Sequence, residues 1–298
     1  MTPPDILCIG SVLWDIIGRT RGALRSRGDV AGHITRLPGG VAMNIAMTLA
    51  RFGMRPAVLT AIGHDAEGRA LLEAVRALGV NPDFAHLTDL PTDRYMAIED
   101  ADGLVAAIAD AHTLEACDDA ILAPLIDGRL GRADAPWRGP IALDGNLTAD
   151  LLDRIARAPA FSGADLRIAP ASPGKAERLL PLLAHPGTAL YVNRQEAGLL
   201  VGAAFADSRA AAEGLVAAGA PRALVTDGAR DATDAQRGAE TLTMPAHPVL
   251  ARRVTGAGDT FMAAHLFAET RSAPRADALS RAQAAAAAYV AQDEDQAP

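Results

Sequence analysis

The chain has 298 residues, half of them hydrophobic, enough to bury a large core in one α/β domain or two small ones. Its formal net charge is −8 and no basic run breaks it, which excludes the usual footprint of a nucleic-acid binder. Only 4% of residues are aromatic while alanine dominates, which favours closely packed helices over an all-β sandwich.

In chain order, short apolar runs alternate with alanine-rich helical patterns. DILCIG (5–10) reads as a buried strand and VAMNIAMTLARFG (41–53) as a helix ended by Gly53. PAVLTAIG (56–63) reads as one strand, followed by the helix EGRALLEAVRALG (67–79) with Gly79 at its C-terminus. IALDG (141–145), LRIAP (166–170), ALYVN (189–193) and RALVTDG (222–228) read as further strands. LTADLLDRIAR, SPGKAERLLPLLA, RQEAGLLVG and SRAAAEGLVAAG read as the helices between and after them. This rhythm predicts a three-layer α/β fold: a mostly parallel, Rossmann-like sheet with helices on both faces.

Two segments, 11–40 and 84–112, depart from it with strand-like alternation. TDRYMAIEDADGLVAAIAD predicts a hairpin turning at Asp100–Gly103. Together the two insertions predict a small β-sheet lid over the strand ends, where ligands of open parallel sheets bind. The expectation is a single domain over 1–298, with no internal repeat and a frayed tail, DEDQAP. Cys8 and Cys117 are too few for a disulfide framework or a metal cluster and fit a reducing, cytoplasmic setting. MTPPDILCIG lacks the basic and long apolar regions of a signal peptide, and no window approaches a membrane span, so no membrane partner is expected.

The stretch RRVTGAGDTF (252–261) carries the chemistry. Three small residues and one carboxylate stand directly before an apolar helical run. Gly256, Ala257 and Gly258 therefore fall at a helix N-terminus, where unpaired N–H groups and the macrodipole favour an anion. Asp259 is the side chain there able to accept a proton. A phosphate cradle beside a base points to phosphoryl transfer; the plainer alternative is a Gly-rich turn capped by Asp.

The chain resembles the ribokinase-like (PfkB) family of sugar and nucleoside kinases over nearly its whole length. Two separated motifs carry the resemblance, GGVAMNIAMTLARFG near the start and VTGAGDTF near the end. IGSVLWD (9–15), IGHDAEG (62–68), DGN (144–146), NRQE (193–196) and TDG (226–228) support them in the right order. The resemblance implies ATP-dependent transfer of the γ-phosphoryl group to an alcohol, with Asp259 as general base. It makes Gly256, Ala257 and Gly258 the anion hole. It implies that Asn193 and Glu196 hold Mg²⁺ and phosphates largely through water. Thr226 and Gly228 become nucleotide-binding residues, with Gln283 beside the adenine. Asp231 stands where the family often has a further glycine. Asp15, Gly40, Asn44 and Asn146 match positions that hold sugar hydroxyls, with Gly39-Gly40 letting the backbone pass close to the ring.

Within the family, AAIADAH (106–112), DGNL (144–147) and VTGAGD are similar to the pseudouridine kinase branch, which implies the 5′-hydroxyl of pseudouridine as acceptor and Asp110 as a reader of its base. A sugar kinase of ribokinase or fructokinase type and a non-catalytic sugar or nucleoside sensor are the alternatives. An oxidoreductase is excluded, because CIGSVLWD lacks Gly-x-Gly-x-x-Gly after the first strand. Exposed strand patterns in the insertions predict a homodimer through the lid. Many relatives have Asp-Thr where this chain has Arg253-Val254, and that Asp helps them bind potassium. An arginine cannot ligate a cation, so no monovalent cation is expected to be required here.

Overall fold

The structure, a computed structural model, describes residues 3–24, 29–101 and 103–292. The strands are β1 (Ile6–Ile9), β2 (Leu13–Arg19), β3 (His33–Gly39), β4 (Pro56–Leu59), β5 (Ala61–Gly63), β6 (His86–Thr88) and β7 (Arg94–Asp100) in the first third. After them come β8 (Gly103–Asp110), β9 (Ile141–Asp144), β10 (Leu166–Ala169), β11 (Thr188–Asn193), β12 (Arg222–Thr226), β13 (Ala232–Gln236) and β14 (Leu242–Met244). The α-helices are α1 (Val41–Arg51), α2 (Ala66–Ala77), α3 (Thr113–Cys117), α4 (Ala149–Arg157), α5 (Arg194–Val201), α6 (Ser208–Ala217), α7 (Ala257–Thr270) and α8 (Arg275–Ala291).

The main sheet has the order β14-β13-β12-β11-β10-β9-β1-β4. It is parallel from β4 to β12, and β13 and β14 add an antiparallel edge. Its central strands are buried on both faces, which is why β1 reads as an unbroken apolar run. Ile6 and Cys8 pack on one side against α1, α2, α7 and α8, while Leu7 and Ile9 pack on the other against α4, α5 and α6. The lid is the separate sheet β3-β2-β7-β8. The hairpin turns where the sequence predicts, with β7 ending at Asp100 and β8 starting at Gly103.

Three local expectations are corrected. Residues 56–63 are not one strand: β4 stays in the main sheet, and β5 turns away to pair with β6. Residues Pro173–Leu182 form a 3₁₀ helix rather than an α-helix, because Pro181 removes an interior donor and Gly174 adds backbone freedom. The antiparallel β13 and β14 lie in a stretch with no predicted element. The tail DEDQAP lies outside the described residues.

A buried ionic cluster pins α7 to the sheet. Arg222 donates to both oxygens of Asp234 at 2.9 and 2.7 Å, and Arg275 donates to the same carboxylate. Glu269 of α7 accepts from both Arg167 and Arg222. His265, fully buried and pushed down to about 4 chiefly by burial, pairs its Nδ1 with the Tyr191 hydroxyl at 2.9 Å. Among the described residues no helix is long and apolar enough to cross a membrane.

Candidate active site

A cavity of about 710 Å³, within the range typical of ligand sites, opens at the carboxyl ends of the strands under the lid. Asp15, Gly40, Asn44, Asn146, Asn193, Glu196, Thr226, Gly256, Gly258 and Asp259 all line it. Residues more than two hundred positions apart in the chain are thus brought to one wall by the parallel sheet.

Its floor is the start of α7. Gly256 caps that helix with φ +85°, and a Cβ there would lie 2.5 Å from the Tyr289 hydroxyl. A side chain is therefore refused on both conformational and steric grounds. Gly258 differs: nothing lies within 4 Å of its missing Cβ, so the space it leaves belongs to the cavity. The first-turn N–H groups of a helix have no intrahelical acceptor, so this start can hold an anion. Asp259, in the same first turn, is pushed up to about 7 chiefly by burial, with Asp144, Glu196 and Asp15 adding repulsion. Asn44 opposes that shift by donating from Nδ2 to Asp259 Oδ2 over 2.8 Å. A carboxylate near neutrality is suited to taking a proton.

On the lid side, Asp15 sits on β2 and is pushed up to about 6 by burial. A Cβ on Gly39 would lie 1.9 Å from its carboxylate, and one on Gly40 would lie 2.4 Å from the Ser11 carbonyl. The glycine pair is thus required by Asp15 and Ser11. Asn146, in the turn after β9, accepts at Oδ1 from Lys175 Nζ over 2.8 Å. On the opposite side Asn193 and Glu196 form a reciprocal capping box on α5, with bonds of 2.9 and 2.8 Å. The Glu196 carboxyl is pushed up by burial. No group of three or more His, Cys, Asp or Glu side chains able to hold a metal occurs among the described residues.

Some predicted site residues lie off this wall. Strand register sets Asp110 apart. Asp15, Tyr95 and Ala109 stand opposite one another across β2, β7 and β8 and face the cavity. Asp110 belongs to the neighbouring row with Trp14 and Arg94, on the other face, and pairs with Arg94 at 3.2 Å. Gln283 is buried in α8 and donates to the Met244 carbonyl at 3.3 Å, so its amide is engaged away from the cavity wall. Gly228 follows Thr226 in a turn with φ +61°. Beside that turn lies a second cavity of about 550 Å³ whose lining includes Asp227, Arg230 and Asp231. Ala257 opens α7 without lining the main cavity. Lys175, Tyr95 and Tyr191 line it unannounced. In the sequence Lys175 is one cation in a helical pattern, with nothing local to mark it as a cavity residue.

Fold and site together define a ribokinase-like α/β protein with its candidate base at a helix start beneath a lid. The chain belongs to the pfkB family carbohydrate kinases, whose family model matches residues 3–298. It is similar to the bifunctional protein HldE of Rhodopseudomonas palustris, at 30% identity over 309 aligned positions that cover 97% of this chain and 60% of that protein. It is also similar to the pseudouridine kinase of Escherichia coli, at 32% identity over 109 residues, 36% of this chain and 35% of that one. The chain thus spans less than two thirds of the length of either relative. Its fold matches that of Arabidopsis thaliana ribokinase complexed with ribose and ATP, with TM-score 0.75, 21% identity, and 97% and 93% of the two chains covered.

Proposed function

We propose that the chain transfers the γ-phosphoryl group of ATP to the 5′-hydroxyl of pseudouridine. The observation that carries the transfer is Asp259, a carboxyl of raised proton affinity in the first turn of α7, beside the open space left by Gly258. Asp259 accepts the hydroxyl proton as the oxygen attacks. The N–H groups of Gly256 and Gly258 face the charge that develops on the transferring group, while that of Ala257 donates to the Val254 carbonyl at 3.1 Å and steadies the turn. Asp15, Gly40, Asn44 and Asn146 hold the acceptor hydroxyls; Thr226 and the Gly228 turn hold the nucleotide. Mg²⁺ would supply charge neutralisation at the phosphates. The donor set fits a water-mediated contact, since the capping box already occupies one Glu196 oxygen.

The choice of acceptor rests on AIAD, DGNL and VTGAGD and on the similarity to pseudouridine kinase. With Asp110 on the outer face, base selection falls to Tyr95 and Lys175, the polar lid and wall groups that line the cavity. The second reading is a sugar acceptor, favoured by a fold shared with a ribose-holding ribokinase. An ADP-release assay over pseudouridine, other nucleosides, ribose and fructose separates them. Pseudouridine should have the highest kcat/KM; a winning simple sugar ends the nucleoside reading, and silence with every acceptor favours a sensor.

The same reading includes a homodimer through the lid. Ile34, Met96, Ile98 and Ile108 share the outer face of the lid sheet and are 74, 46, 45 and 68% exposed, an apolar stripe suited to a second copy. It also includes independence of monovalent cations, because Arg253 already braces the loop before the anion hole.

A further inference from the structure

Asp144 is fully buried at the carboxyl end of β9, and the chemistry proposed above does not use it. Its Oδ2 accepts from the Ser11 N–H at 2.8 Å and from the Ala42 N–H at 3.0 Å. Its Oδ1 accepts from the Asn146 N–H at 2.8 Å. One carboxylate therefore joins the loop after β1, the first turn of α1 and the turn after β9. Burial pushes this carboxyl up, while the three N–H donors and Lys175 pull it back toward the charged form. The approach is close enough that a Cβ on Gly10 would lie 2.4 Å from the carboxylate. The Ser11 carbonyl accepts in turn from the Met43 N–H at 3.3 Å, which doubles the brace between the first loop and α1.

We infer that Asp144 is a positioning residue that fixes the acceptor-binding side of the cavity against the base. The inference rests on the kinase reading for its kinetic consequence, but its geometric content is independent of it. Two residues beyond Ala42, on the same first turns of α1, stands Asn44, whose amide donates to Asp259. Two residues beyond Asp144 stands Asn146, clamped at its N–H by Asp144 and at Oδ1 by Lys175. The carboxylate thus sets both the height of the base's partner and the reach of an acceptor-site amide. Of the nucleotide-side residues, Asn193 and Thr226 end other strands and Glu196 sits on α5, and none of them hydrogen-bonds to it. A merely structural carboxylate would disturb both sides alike.

Asp144→Asn discriminates. The asparagine oxygen can still take the Ser11 and Ala42 N–H groups, but its amide nitrogen then confronts the Asn146 N–H. Acceptor KM should rise by about tenfold or more, while the KM for ATP stays within about twofold. In a double-mutant cycle with Asn146→Ala the acceptor effects should be strongly non-additive. A crystal structure of the variant should show the turn 144–147 displaced. If Asp144→Asn does not fold, Asp144→Ser, which retains a smaller acceptor, takes its place. Equal rises in both KM values, additive effects, or an unmoved 144–147 turn would overturn the inference. If the wild type phosphorylates no acceptor, the kinase reading fails and the crystal structure alone decides the role of Asp144.

Discussion

Asn44 on α1 donates to Asp259 on α7 over 2.8 Å, so a side chain 215 positions away tunes the proton affinity of the candidate base. Burial lifts Asp259 to about 7 and the Asn44 bond holds it below where burial alone would put it. A base works only when deprotonated, so kcat/KM should climb with pH through about 7 and level above it. Asn44→Ala removes the donor that favours the charged form, and its acid limb should move to higher pH. A limb that stays in place would show that Asp259 does not govern the profile.

Asp259→Asn should bind nucleotide and acceptor yet lose about 10²–10⁴-fold in turnover. Its stability should change in a pH-dependent direction. The folded pKa of about 7 exceeds the ordinary 3.8, so the folded state retains a proton that the unfolded state releases. That contribution is complete below pH of about 4 and is lost as pH rises through about 7. The Tm of the wild type should therefore fall relative to the variant between pH 5 and pH 8. Parallel Tm curves would place Asp259 in an ordinary capping role.

Much of this arrangement is legible in the sequence, and what is not has physical causes. Strand–helix alternation predicts the layered sheet because strands buried on both faces leave continuous apolar runs such as ILCI. Gly256 announces the helix start because few other residues adopt φ +85° there. For Asp110, a period of two gives side-chain alternation but not which face is the cavity; that takes the pairing of β2, β7 and β8, which groups it with Arg94 and Trp14. Asp144 and Lys175 act through partners distant in sequence, such as Ser11 at a separation of 133, which no local pattern encodes.

The carboxylate of Asp234 should be worth more to stability than to chemistry. It is fully buried and accepts from Arg222 and Arg275. Asp234→Ala leaves two guanidinium groups without their shared partner, which typically costs about 3–5 kcal/mol. Chemical denaturation should show that loss, and residual folded enzyme should keep its KM for ATP within about twofold. A loss under about 1 kcal/mol would mean that Glu269 and solvent absorb the freed charges.

Light scattering tests the lid stripe. The chain should have a dimer mass, and Ile108→Lys, which puts a charge on the edge strand β8 opposite Met96, should shift it toward monomer. A monomer mass for the wild type at working concentration rules the lid interface out. Asp110→Ala, on the same outer face and away from the cavity, should leave acceptor selectivity unchanged.

The guanidinium carbon of Arg253 lies 3.6 Å from the centre of the Tyr289 ring, and its Nε and Nη2 donate to the Tyr289 carbonyl and the Gln292 side chain. The Tyr289 hydroxyl in turn donates to the Thr255 carbonyl at 2.8 Å, beside Gly256. A fixed cation thus clamps an aromatic ring, and the ring clamps the residue that leads into the anion hole. On the proposed reading this clamp stands in for an exchangeable ion at that loop. At constant ionic strength, activity should be nearly equal in potassium, sodium and a bulky organic cation. Tyr289→Phe keeps the stack and removes one hydrogen bond, so kcat should drop about fivefold with acceptor KM little changed. Arg253→Asp should lower activity in the organic cation, because it removes the clamp, and potassium should partly restore it by supplying the missing charge. Strong, selective activation of the wild type by potassium would mean that a cation site forms despite the arginine, and the clamp would then not be what steadies the loop.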